Sequence, residues 1–158
     1  MMSKGMTVRV EGAREIVDKL QKLGVNLERA QEVILTAGAE VVRDAAADTV
    51  RGDSTKIADS IHIETLSRSP GKVEVGIAPD KKRWYAVYLE RGTRPHQVKA
   101  KGKALKFAGN DGGWAFRKSI MHPGIKPRPF MQPAADEHHD EILSEMTAKG
   151  AKVVEAST

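Results

Sequence analysis

The chain has 158 residues, of which 40% are apolar, 30% are charged and 4% are aromatic, so its core is mostly aliphatic and of single-domain size. It has no cysteine, which excludes disulfides, thiolate metal sites and a cysteine nucleophile. No apolar run approaches the ~20 residues that span a bilayer, and Met1-Met2-Ser3-Lys4-Gly5 opens without the apolar stretch of a secretory signal. The expected setting is a cytoplasm, or a particle assembled there, with no membrane partner.

The net charge is +5, and it is unevenly spread. Residues 81–128 hold 13 of the 26 Lys and Arg, but only two acids, Glu90 and Asp111. The remainder is acidic. Such asymmetry points to a negative partner: nucleic acid, a membrane surface or the acidic surface of another protein subunit.

In chain order, Thr7-Val8-Arg9-Val10 alternates as a short strand does. Ile16, Val17, Leu20 and Leu23 then take helical spacing up to Gly24. Asn26 is placed to cap a longer helix. Leu27, Ala30, Val33, Ile34, Ala37, Val41 and Ala45 form its apolar stripe, and it runs to about Val50. Ala37-Gly38-Ala39 thins the helix so that another element can approach. Arg51 to Asp59 reads as a polar turn or short helix. Ile61, Ile63 and Thr65, the Ser69-Pro70-Gly71 turn, and Val73, Val75 and Ile77 predict an antiparallel hairpin.

Trp84-Tyr85-Ala86-Val87-Tyr88-Leu89 fits either strand or helix, and Gly92 reads as a helix C-cap. Residues 94–127 contain strand-like pieces at His96–Lys99, Ala104–Phe107 and Trp114–Phe116, broken by glycines. They predict a long basic β-hairpin or extended arm. Arg128-Pro129-Phe130 opens the last helix, with Pro129 at its first position. Met131, Ala134, Ala135, His138, Ile142 and Met146 share a face, and a frayed tail follows Gly150. The expected architecture is one α+β domain over residues 1–158: a small antiparallel sheet packed with one long helix and a C-terminal helix, plus the arm at 94–127.

Catalytic patterns find little support. His138 and His139 are adjacent and diverge on a helix, and no zinc-protease spacing occurs. The serines lack a nucleophile elbow, and Gly109-Asn110-Asp111-Gly112-Gly113 has no phosphate-loop context. Asp136-Glu137 and Asp140-Glu141 read as solvated helix surface. No catalytic residue, metal or cofactor is expected. The basic stretch carries more. Lys99, Lys101, Lys103 and Lys106, with Arg117 and Lys118, interleave with Phe107, Trp114 and Phe116. This pattern fits a nucleic-acid contact, a solubilised hairpin edge, or an arm docking on a neighbour's acidic surface. The acid elsewhere in the chain favours the last.

The order of these features resembles the small tail-component family of long-tailed DNA phages, the Hong Kong ninety-seven gene-product-ten-like family. The resemblance runs from Val10-Glu11-Gly12-Ala13 through the long helix and Val73-x-Val75-Gly76-Ile77. It continues in Trp84-Tyr85-Ala86-x-x-Leu89-Glu90-x-Gly92-Thr93, His122-Pro123-Gly124, and Arg128-Pro129-Phe130-Met131-x-Pro133-Ala134. The sequence departs from the family at 53–61, which lacks the usual Pro and Gly before the first hairpin strand. The residues carried over, Tyr85, Glu90, Gly92, Thr93, Pro123, Gly124, Arg128, Pro129, Phe130 and Pro133, have scaffold roles. Among them, Glu90 is placed to pair with Arg128 or to cap a nearby backbone group. The resemblance implies a structural virion protein of the neck or upper tail: a ring-forming tail terminator, tail-completion or head–tail joining protein. Its implied partners are further copies of itself, most simply six, and other neck and tail-tube proteins, around packaged DNA. The alternative is a basic nucleic-acid-binding module using residues 94–127.

Overall fold

The computed structural model describes residues 27–69, 71–108 and 112–156. The expected strand at 7–10, the helix ending at Leu23 and the Asn26 cap lie outside these residues. The described chain divides into two compact units. One comprises residues 27–86 and 129–156, and the other residues 87–128.

The first unit is built on helix α1 (Leu27–Arg51). It packs against α2 (Thr55–Ala58), strands β1 (Ile61–Ser69) and β2 (Lys72–Pro79), and, late in sequence, helices α4 (Met131–Glu137) and α5 (His139–Glu155). Ser54 caps α2, its hydroxyl accepting from the Ile57 N–H at 3.3 Å. That settles the polar stretch as a short helix.

β1 and β2 form the predicted hairpin. It is antiparallel from Ile61 opposite Pro79 to Ser69 opposite Lys72. Alternation puts Ile61, Val73 and Ile77 into the core. The register slips between Thr65 and Ser67, leaving Leu66 as the extra residue of a bulge. Leu66 lies over Gly76, where an added Cβ would stand 2.8 Å from its side chain.

The thin stretch of α1 serves close packing, as its composition predicts. Ala37, Gly38 and Ala39 are all buried. A Cβ on Gly38 would lie 2.8 Å from Met146 and 3.1 Å from Ile142, both on α5. Past this point the buried residues are Val42, Ala46 and Val50, one step on from the predicted Val41 and Ala45, which are only half-buried. The cause is the alanine and valine run: α1 is apolar over a wider arc than one stripe, and its packing neighbours choose which part is covered.

The C-terminal helix differs from expectation in three ways. Pro129 is not its first residue. Phe130 stands at the N-cap position and the helix begins at Met131. Pro133 is then the proline in the first turn, where a missing N–H leaves no intrahelical bond unmade. The helix also breaks at His138, whose φ of −106° and ψ of 21° separate α4 from α5. The His138 ring, 3.1 Å from the Ala134 carbonyl, competes there with the regular backbone pattern. Finally, the helix continues beyond Gly150 to Glu155 instead of fraying. Val153 and Val154 pack with Ile34 against Leu27 and Ala30, which holds this last turn in place.

Helix α3 (Ala86–Arg91) begins at the last residue of the first unit's opening segment and runs on into the second, so the ambiguous aromatic segment is helical from Ala86. Gly92 follows with φ +68°, the left-handed conformation expected of a C-cap glycine. Four short strands complete the unit. β3 (His96–Lys99) pairs with β6 (Ser119–His122), and β4 (Leu105–Ala108) pairs with β5 (Trp114–Arg117). The β4–β5 ladder lies, in sequence, inside the β3–β6 ladder, and the two are separate two-stranded sheets. Residues 101–104 have no counterpart beyond Lys118 on the return strand, so the outer ladder cannot continue in register into the inner one.

Candidate functional site

Three of the carried-over scaffold residues, Gly92, Thr93 and Gly124, meet within the second unit. The Thr93 N–H donates to the Ile125 carbonyl at 2.9 Å. The Ile125 N–H returns to the Thr93 carbonyl at 3.2 Å and the Thr93 hydroxyl at 3.0 Å. Gly92 and Gly124, at φ +68° and +86°, flank this bridge. Any side chain on Gly92 would place Cβ 2.5 Å from the Ile125 carbonyl oxygen. One on Gly124 would meet the Thr93 carbonyl oxygen at 2.2 Å. Two glycines 32 positions apart are therefore required by a single crossing of two backbones. The Gly124 N–H donates to His122 Nδ1 at 3.1 Å, and the Arg128 N–H donates to the Leu89 carbonyl at 2.8 Å.

Of the remaining scaffold residues, Glu90 is half-buried on α3, while Pro123 and Pro129 are exposed. Tyr85 stands edge-on to Trp84, with ring centroids 6.4 Å apart. Phe130 belongs to the first unit's core, at 2% exposure.

The basic residues are all exposed. Lys99 ends β3, Lys101 and Lys103 lie in the bends before β4, and Arg117 ends β5. Lys118 is the single residue between β5 and β6, and its carbonyl accepts from the Ala100 N–H at 2.9 Å. In the β4–β5 ladder Lys106 stands opposite Phe116 and Ala108 opposite Trp114. Directly paired residues share a face, so these four form one outward surface. Trp114 is 65% exposed and Phe116 57%. The Lys106 ammonium sits 4.0 Å from the Trp114 ring centroid, a cation–π contact.

The first unit carries the opposite charge. A groove of about 300 Å³ runs between α1 and α5. Glu40, Asp44 and Asp48 line one side, and Glu141 and Glu145 the other. Its floor includes Val41 and Ala45, the two stripe residues that the core leaves half-covered. Counted by unit, residues 27–86 and 129–156 hold eleven basic and sixteen acidic residues, a net −5. Residues 87–128 hold ten basic and two acidic, a net +8. The groove was missed in sequence because its two rims lie about a hundred residues apart. The available signal was acid every fourth residue on both helices.

Among the described residues no group of His, Asp and Glu is placed to hold a metal ion, and no helix is long and apolar enough to cross a membrane. The fold and its surface thus define a small α+β protein whose distinctive chemistry is charge displayed on two compact units. A family model described as "Bacteriophage HK97-gp10, putative tail-component" matches residues 14–92. The chain belongs to this family, and is a phage tail component. The matched span ends at Gly92, before the Pro123-Gly124 and Arg128-Pro129-Phe130 segments. Comparison with curated proteins and with solved structures gives no match.

Proposed function

We propose that this tail component is a ring-forming structural protein of the phage neck or upper tail, acting as a tail terminator, tail-completion or head–tail joining protein. The observation that supports this reading is the separation of charge, +8 on residues 87–128 and −5 on residues 27–86 with 129–156. A surface of one sign on one part of a subunit and of the other sign elsewhere favours head-to-tail contacts. Such contacts close into a ring when the rotation permits. The basic unit then serves as the arm that reaches a neighbouring subunit. In this reading the partners are copies of the chain itself, six per ring, together with other neck and tail-tube proteins around the packaged DNA. The protein acts by assembly and not by catalysis, and without a cofactor. It is made in the host cytoplasm and retained in the virion.

One observation favours a second reading. Lys106 over Trp114, beside exposed Phe116, is also a surface on which nucleic-acid bases stack. Replacing Lys99, Lys101, Lys103 and Lys106 together with Ser separates the two. The assembly reading expects a folded protein that no longer enters tails or rings. A variant that assembles normally but loses DNA affinity decides for the second reading. There the wild type shows a log–log salt slope of about −0.9 per phosphate contacted.

A further inference from the structure

The α1–α5 groove has the anatomy of half an interface. Its accessible lining is mostly polar and its rims are acidic, with half-buried Val41 and Ala45 between them. Acid at Glu40, Asp44 and Asp48 repeats every fourth residue, a spacing at which like charges destabilise a helix. Arg43 answers Asp44 at 2.8 Å and Arg51 reaches Asp48 at 4.0 Å. Glu40, Glu141 and Glu145 form no ion pair among the described residues. The outward face of β4–β5 has the reverse design. Two large aromatic rings, Trp114 and Phe116, lie exposed on it with Lys106 beside both, and Lys99, Lys101 and Lys103 precede it in the chain, also exposed. Exposed Trp and Phe backed by cations are characteristic of interface centres, which bury aromatics inside a charged rim.

We propose that the Lys106, Trp114 and Phe116 face of one subunit docks into the α1–α5 groove of a second copy of this chain. The inference rests on the ring reading above and names its interface. The occupant follows from complementarity. The lysines at 99–106 meet the carboxylates on the rims, and the aromatic rings meet Val41 and Ala45 between them. Both halves are present on every copy, so each subunit offers one of each and the contact repeats head to tail. A nucleic-acid strand would satisfy the lysines and be repelled by the groove, whose acid would then have no counterpart.

The test uses two full-length variants. In the first, Lys99, Lys101, Lys103 and Lys106 are changed to Glu. In the second, Glu40, Asp44, Glu141 and Glu145 are changed to Lys. All eight positions are exposed. Association is followed by sedimentation at low ionic strength, where charge contacts are least screened. The wild type is expected to associate and each variant alone to be monomeric. An equimolar mixture is expected to recover the oligomer, with the two variants alternating, because each then presents the charge the other lacks. Native mass spectrometry reads that alternation directly. Folded variants that stay monomeric when mixed overturn the inference. So does association that neither reversal disturbs, which would leave the ring reading standing with its interface elsewhere.

A second measurement covers a variant that fails to fold. Because the chain has no cysteine, a Phe116→Cys, Ala45→Cys pair introduces the only thiols. Oxidation is expected to give a ladder of covalent multimers. Monomers alone, with both thiols free, overturn the proposal. Absence of the chain from the neck and tail of the virion would instead overturn the ring reading itself.

Discussion

Gly38, Gly92 and Gly124 are each fixed by what would collide with a Cβ, but they differ in consequence. Gly38 is helical, and by helix propensity alone a side chain there should stabilise by up to about 1 kcal/mol. Contact with α5 reverses that expectation. Gly38→Leu should overpack the α1–α5 seam and lose about 1–3 kcal/mol in urea denaturation. An unchanged midpoint would mean that Met146 moves aside freely. Gly92 and Gly124 combine left-handed backbone with a carbonyl oxygen in the way. Gly124→Ala should therefore unpin the Thr93–Ile125 bridge, seen as faster hydrogen exchange at the amides of both residues, with protection in α1 unaltered. Phe130 is a different case, a large side chain at 2% exposure. Phe130→Ala should cost about 3–5 kcal/mol, as deletion of a buried Phe usually does. A melting temperature equal to wild type would refute its place in the core.

At the scale of elements, the β1–β2 hairpin is tied to α1 by a small polar cluster. The Thr65 hydroxyl donates to Glu32 at 2.6 Å, and Arg68 forms an ion pair with the same carboxylate. The Thr65 bond first, and then the Arg68 charge, hold the Glu32 carboxyl below the usual carboxylate range. A depressed folded-state value stabilises above the unfolded value, and the contribution fades as pH falls through the folded one. Glu32→Gln should therefore be less stable than wild type at neutral pH, and the two should converge in acid. A gap that persists at low pH would assign the effect to packing. The hairpin was legible in the sequence because Ile61, Ile63, Val73, Val75 and Ile77 alternate about a turn signal. The long helix was legible in extent, and in facing as far as Ala37, but not beyond it. Val41 and Ala45 are as apolar as Val42 and Ala46, and only the arrangement of α4, α5 and the hairpin decides which pair is covered. The break at His138 and the ordered end at Val153 and Val154 were hidden for a related reason. Both depend on contacts with distant residues, not on local spacing. In the basic segment the strand pieces could be read. The nesting of two ladders could not, because it depends on how residues 101–104 are accommodated opposite Lys118.

For the whole molecule, the proposed assembly rests on the distribution of charge between the two units. The lysines at 99, 101, 103 and 106 are exposed, so their joint replacement with Ser should leave the melting temperature nearly unchanged. An unfolded quadruple variant would instead make the basic segment part of the folding core. The acidic groove, by contrast, required the structure, because Glu40 and Glu145 come to line one groove only when α5 returns to α1. The central claim is that this tail component is a built-in part of the particle at the neck or upper tail. It is tested most directly by locating the chain in the mature virion, by mass spectrometry of purified particles together with cryo-electron microscopy of the neck and tail. The account predicts a closed ring of this chain around the DNA channel, with the β4–β5 face of each subunit on its neighbour. Mature, infectious virions whose neck and tail lack the chain would contradict it.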